Sequence, residues 1–132
     1  MKRNPPYVVA IGLVLLALTA SSAGAQASQP PKVRTATAVL LIANMAEAEA
    51  SCGCGEIIRM VRAAADHGVR TREVDARNKD EGAKVRREYR VTADPTVLLL
   101  DDAGREMKRF EGESKNTILA LMHELNIMVK RK

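Results

Sequence analysis

The chain has 132 residues, of which 46% are hydrophobic and 28% charged, with a formal net charge of +5 and only two cysteines. Its sole aromatic residues are Tyr7, Tyr89 and Phe110, which excludes stacking platforms for bases or sugars. Basic stretches such as Arg86-Arg87 and Lys130-Arg131-Lys132 are interrupted by acids or end a helix, so they read as solvated surface and not as a nucleic-acid interface.

Lys2 and Arg3 precede a largely apolar run from Tyr7 to Leu18 that gives way to small residues and Ala25-Gln26-Ala27. A charged start, an apolar core and a small-x-small site form the pattern of a secretory signal, and the core falls short of the roughly 18 to 20 residues of a membrane span. The expectation is a signal peptide over 1–27, cleaved after Ala27, and a periplasmic or secreted product with no membrane attachment; a signal retained as an anchor is the alternative. No cysteine precedes Cys52, so a bacterial lipid-anchor signal has nothing to modify. Cleavage removes two of the 21 basic residues and none of the 16 acids, leaving a net charge of +3 on a stretch sized for one small domain.

Residues 28–34, with Gln29-Pro30-Pro31, read as an extended linker, and residues 35–132 as the domain. Thr37 to Ala43 is a short apolar run with β-branched residues, suited to a strand buried on both faces. From Gly55, Ile57, Met60, Val61 and Ala64 recur at helical spacing until His67-Gly68 stops the helix. Val69 to Val74 predicts a second strand, Asp80 to Tyr89 a weaker helix, and Thr96 to Leu100 another fully buried strand. Asp101 to Gly104 is a hairpin turn with Arg105 to Phe110 as the returning strand. Ser114 then caps a last helix whose apolar stripe is Ile118, Leu121, Met122, Leu125 and Met128.

The predicted order is therefore β-α-β-α-β-β-α, with Cys52 and Cys54 at the junction of the first strand and first helix. From Cys52 to the last helix, the cysteine motif, Val74-Asp75, Tyr89-Arg90-Val91, Asp94-Pro95-Thr96, the hairpin and Gly112 resemble the thioredoxin superfamily. The resemblance implies an α/β fold with a central mixed sheet flanked by helices. It also implies that Pro95 is cis and faces the cysteines, with Gly53, Asp94, Pro95 and Thr96 on the substrate side. Three departures from the family pattern stand out. The motif is Cys52-Gly53-Cys54, one residue shorter than usual, with Cys54 matching the resolving position; the first position then holds Ser51 or, as the preferred reading, one residue is deleted and Cys52 takes it. Ser51 or Ala50 stands where an aromatic residue usually precedes the motif, and Val39-Leu40-Leu41-Ile42 lacks the family's buried acid, which leaves water to take the proton from the resolving cysteine. Asp94 puts a carboxylate before the proline, where it favours the protonated thiol.

Disulfide exchange requires an exposed, stabilised thiolate, and a helix N-terminus offers free N–H groups and the positive end of the dipole. Cys52 is the expected nucleophile and Cys54 the residue that resolves the mixed disulfide, with no cofactor required. Partners would be thiol- or disulfide-bearing proteins and a redox recycling partner. Glycine between the cysteines lets the chain bend enough to close a small, strained ring, so the expected potential lies above thioredoxin's about −270 mV, toward the isomerases' about −180 mV.

Two other readings stand beside this one. The pair with Met45 or a histidine could hold Cu(I), although no histidine or further cysteine lies at ligand spacing. The domain could instead be an inactive interaction module; a purely structural bridge across one residue closes too small a loop to stabilise much. His67 and His123 read as capping or surface residues and Met60, Met122 and Met128 as core filler; Glu47, Glu49 and Glu56 surround the motif in sequence and could tune it, but read first as caps or solvated surface.

Overall fold

Two apolar runs form the middle of a four-stranded sheet because each buries side chains on both of its faces. In the computed structural model, which describes residues 30–132, these are β1 (Ala38–Ala43) and β3 (Thr96–Leu100), paired antiparallel with Ile42 opposite Thr96. β2 (Arg70–Asp75) lies parallel to β1 on one side, and β4 (Glu106–Glu111) antiparallel to β3 on the other, giving the order β2-β1-β3-β4. Three helices complete the unit Val33–Lys132: α1 (Gly53–Asp66) after β1, α2 (Glu81–Glu88) after β2 and α3 (Lys115–Lys130) after β4, with one 3₁₀ turn at Met45–Glu47. The signal peptide read in 1–27, its cleavage site and the start of the linker lie outside the described residues. Among the described residues no helix is long and apolar enough to cross a membrane.

The period-two geometry of strands sorts the core into two clusters. Val39, Leu41 and Ala43 of β1 and Val97 and Leu99 of β3 face the first, with Ile57, Ile58 and Val61 of α1 and Leu121, Leu125 and Met128 of α3. Leu40, Ile42, Leu98 and Leu100 face the second, with Val74, Val85 of α2 and Val91. The sheet is thus sandwiched between α1 and α3 on one side and α2 on the other.

Boundaries differ from the sequence reading in informative ways. α1 begins two residues before Gly55, so Cys54 lies in its first turn; the glycines there serve close packing, described below. α2 is shorter than Asp80 to Tyr89, and Asn78, whose side chain accepts from the N–H groups of Asp80 and Glu81, makes its entry. Met122 is 43% exposed and not core filler, because α3 turns Leu121, Leu125 and Met128 inward and leaves Met122 on its outer flank. Arg34, read as the last linker residue, is tied to the hairpin turn: its Nε and a terminal nitrogen donate to Asp101 Oδ2 at 3.0 and 2.7 Å. Asp101 also accepts from the N–H groups of Ala103 and Arg105, and these bonds hold its carboxyl down to about 2. Ser114 caps α3 as expected, its Oγ accepting from Thr117 N.

Candidate functional site

Strand register gathers three loops at one end of the sheet. Ile42 near the end of β1 is opposite Thr96 at the start of β3, and Thr96 is opposite Glu111 at the end of β4. The segments 44–52, 93–95 and 112–114 therefore emerge side by side. The Asp94–Pro95 peptide bond is cis, and Pro95 O accepts from Gly112 N at 2.8 Å, joining the second loop to the third.

Cys52 is the N-cap of α1, with an extended backbone at φ −78° and ψ 168°, and it is exposed. Cys54, two residues on, is buried with 3% of its surface accessible. Two residues that far apart inside a regular helix would project about 200° from each other. Because Cys52 stands outside the helical turn, that separation does not apply, and the two thiols share one neighbourhood. Both are free.

The loop after β1 carries the acid of this neighbourhood. Asn44 opens the 3₁₀ turn, its Oδ1 accepting from Ala46 N and its Nδ2 donating to Glu47 Oε1 at 3.0 Å, which orients the Glu47 side chain. The other Glu47 oxygen, Oε2, accepts from Cys52 Sγ at 4.0 Å. Burial pushes the Cys54 thiol up to about 12, reinforced by the neighbouring Glu47 carboxylate and by the charges of Asp94 and Cys52. One carboxylate thus acts on both sulfurs. Glu47, which comes from the loop and not from within β1, is the carboxylate that stands beside the pair.

Two glycines make this packing possible. A Cβ on Gly55 would lie 2.2 Å from Ala50 O and 2.6 Å from Glu47 O, so α1 touches the loop backbone directly there. Arg59, one turn along, donates from Nη1 to Ala48 O at 2.8 Å and Ala50 O at 2.9 Å, clasping the same loop. A Cβ on Gly53 would lie 2.7 Å from Glu113 Cβ and 2.8 Å from Glu113 O. Gly53 is therefore required by a close approach as well as by any bend in the motif. Glu113 was not visible as a site residue in the sequence, yet its Oε2 accepts from Cys54 N at 2.7 Å, across 59 residues of chain. Only the β3–β4 register followed by Gly112, at φ 77°, could have pointed to it.

The remaining expected residues fall into place unevenly. Asp94 is near enough to act on Cys54 and pairs with Arg86 at 3.8 Å. Pro95 is buried, and Thr96 has no exposed surface; its hydroxyl donates to Ala93 O at 2.8 Å, so it shapes the loop instead of facing a substrate. His67 caps the far end of α1, with Nδ1 2.8 Å from Ala63 O, and the helix rise places it about 20 Å from the cysteines. His123 is exposed on α3, and Met45 packs against the first core cluster. Among the described residues no three or more His, Cys, Asp or Glu side chains are grouped to hold a metal ion.

No family model matches this chain, and no curated protein does.

Proposed function

We propose that this protein is an extracytoplasmic, thioredoxin-like thiol–disulfide oxidoreductase whose Cys52/Cys54 pair exchanges disulfides with partner proteins. The observation that carries the reading is the asymmetry of the pair: one exposed thiol at the start of a helix, one buried thiol beside it, and a carboxylate in reach of both. The cis Asp94–Pro95 bond next to that pair and the sheet with helices on both faces support the thioredoxin-like assignment. The signal-like residues 1–27 support an oxidising compartment.

In the reductive direction, the Cys52 thiolate attacks one sulfur of a partner disulfide, forming a mixed disulfide and releasing the other partner sulfur as a thiolate that takes up a proton. Cys54 stays protonated at neutral pH because of its burial, so it does not compete for the partner. Glu47 then accepts the Cys54 proton, the Cys54 sulfur attacks Cys52 Sγ, and the second partner sulfur leaves. The partner gains two electrons and the pair becomes a disulfide; the reverse sequence oxidises a partner dithiol. Direction follows from the potential of the partner that recycles the pair.

The test is a thiol count on the purified protein before and after reduction, followed by equilibration in glutathione buffers of graded potential. A reversible two-thiol transition between about −150 and −270 mV is expected. Thiols that never pair, or a bridge still intact below about −300 mV, would overturn the assignment.

A further inference from the structure

An N-cap side chain ordinarily accepts from the N–H of the second or third helical residue. Cys52 is the N-cap of α1 and its side chain makes no such bond. The second helical residue is Cys54, and its N–H is already taken by Glu113, at 2.7 Å. The cap of this helix is thus delivered from the β4–α3 loop, while the residue in the capping position turns its sulfur to Glu47 and not to the helix N–H groups. Gly53, between the cysteines, is pressed against the Cβ and carbonyl oxygen of that same Glu113, so the arrangement is built into the backbone as well as into a side-chain bond. A carboxylate held there and a thiolate at the cap position share one positive helix end, where each disfavours the other's negative charge.

We propose that Glu113 is a positioning residue that restrains the reactivity of Cys52 by fixing a negative charge on the helix N-terminus that would otherwise stabilise the Cys52 thiolate. This rests on the reading of Cys52 as the attacking thiol. The other charged groups around the pair do not substitute for it: Glu47 approaches from the 3₁₀ turn and contacts the sulfur itself, and Asp94, from the loop before β3, is offset by Arg86. Among the acids of the described residues, Glu113 alone is bonded to an N–H of the helix terminus.

The experiment uses full-length chain carrying Cys54→Ser, so that Cys52 is the only thiol, and reads the rate of alkylation by iodoacetamide, an uncharged reagent, across pH. Glu113→Gln keeps an acceptor oxygen for Cys54 N and removes the charge; Glu113→Ala removes both. Both variants should alkylate about three- to tenfold faster at neutral pH, with the half-maximal pH moved down by roughly half to one unit. Unchanged rate and pH profile in Glu113→Gln would overturn the proposal, even if Glu113→Ala were faster, because that pattern is loss of a mechanical cap alone. The redox titration of the unmodified pair is independent of this readout, so a pair that failed to cycle would refute the oxidoreductase reading without touching the alkylation result.

Discussion

Replacing Gly55 by alanine reverses the usual sign of a glycine-to-alanine change in a helix. Alanine is favoured over glycine in a helix interior by about 1 kcal/mol, so on propensity alone Gly55→Ala would stabilise α1. The new Cβ, however, would meet two backbone carbonyl oxygens, Ala50 O at 2.2 Å and Glu47 O at 2.6 Å, neither of which can rotate away. Overpacking of this kind costs about 1 to 3 kcal/mol. Relief by moving the loop would break the two Arg59 bonds to Ala48 O and Ala50 O, each worth about 0.5 to 1.5 kcal/mol. Taking the middle of each range and subtracting the propensity gain, the net loss is about 3 kcal/mol, a fall in Tm of roughly 12 to 24 °C for a domain of this size. Thermal unfolding of the reduced protein followed by circular dichroism measures it. Gly68→Ala is the control: Gly68 has φ 89° and open space around it, so alanine there incurs only backbone strain of about 1 to 2 kcal/mol. A Gly55→Ala protein as stable as wild type, or less affected than Gly68→Ala, would refute the packing argument.

Glu47→Gln should lower the Cys54 thiol from about 12 while leaving it above its ordinary value, because burial, the largest cause, persists. Ultraviolet thiolate absorbance against pH in a Cys52→Ser background reads this directly, and an unmoved Cys54 titration would remove Glu47 from the pair. Because folding raises the Cys54 thiol, its contribution to stability is full below the unfolded value near 9 and disappears as pH rises toward about 12, so Cys54→Ala should flatten the alkaline limb of stability. The opposite sign holds for Asp101, whose carboxyl is depressed to about 2: its contribution is present above the unfolded value near 4 and is lost as pH falls through 2. Asp101→Asn should lower the Tm at neutral pH and blunt the acid limb; an acid limb identical to wild type would contradict the role given to the Arg34 and Arg105 contacts.

Much of the scaffold could be read before any coordinates, because β1 and β3 are short apolar runs whose two faces are both buried, and Ser114 and Gly104 sit where a cap and a hairpin turn need them. The start of α1 was harder. Gly53 and Gly55 are poor helix formers, and their presence in the first turn is explained only by Glu113 and the Glu47–Ala50 backbone pressing on them, contacts no local pattern reveals. Glu47 is one of several acids near the motif in sequence, and what sets it apart is the Asn44 bond that aims it. Glu113 left no local sign at all, since its bond to Cys54 depends on two strand registers and a turn. Met122 misled for the opposite reason: it shares the spacing of a core stripe but sits on the flank.

The strand order has a further consequence for how the chain behaves before it is folded. Both outer strands are heavily charged, with Arg70, Arg72 and Glu73 on β2 and Glu106, Lys108, Arg109 and Glu111 on β4. Charges of this kind discourage another chain from adding itself to an open border. The two strands they enclose, AVLLIA and TVLLL, are uncharged, rich in residues that favour extended structure and free of proline. Segments of that composition seed ordered aggregates when left uncovered. Substitutions that slow the closing of the sheet would therefore be felt first as insoluble protein, because the two apolar strands stay uncovered for longer.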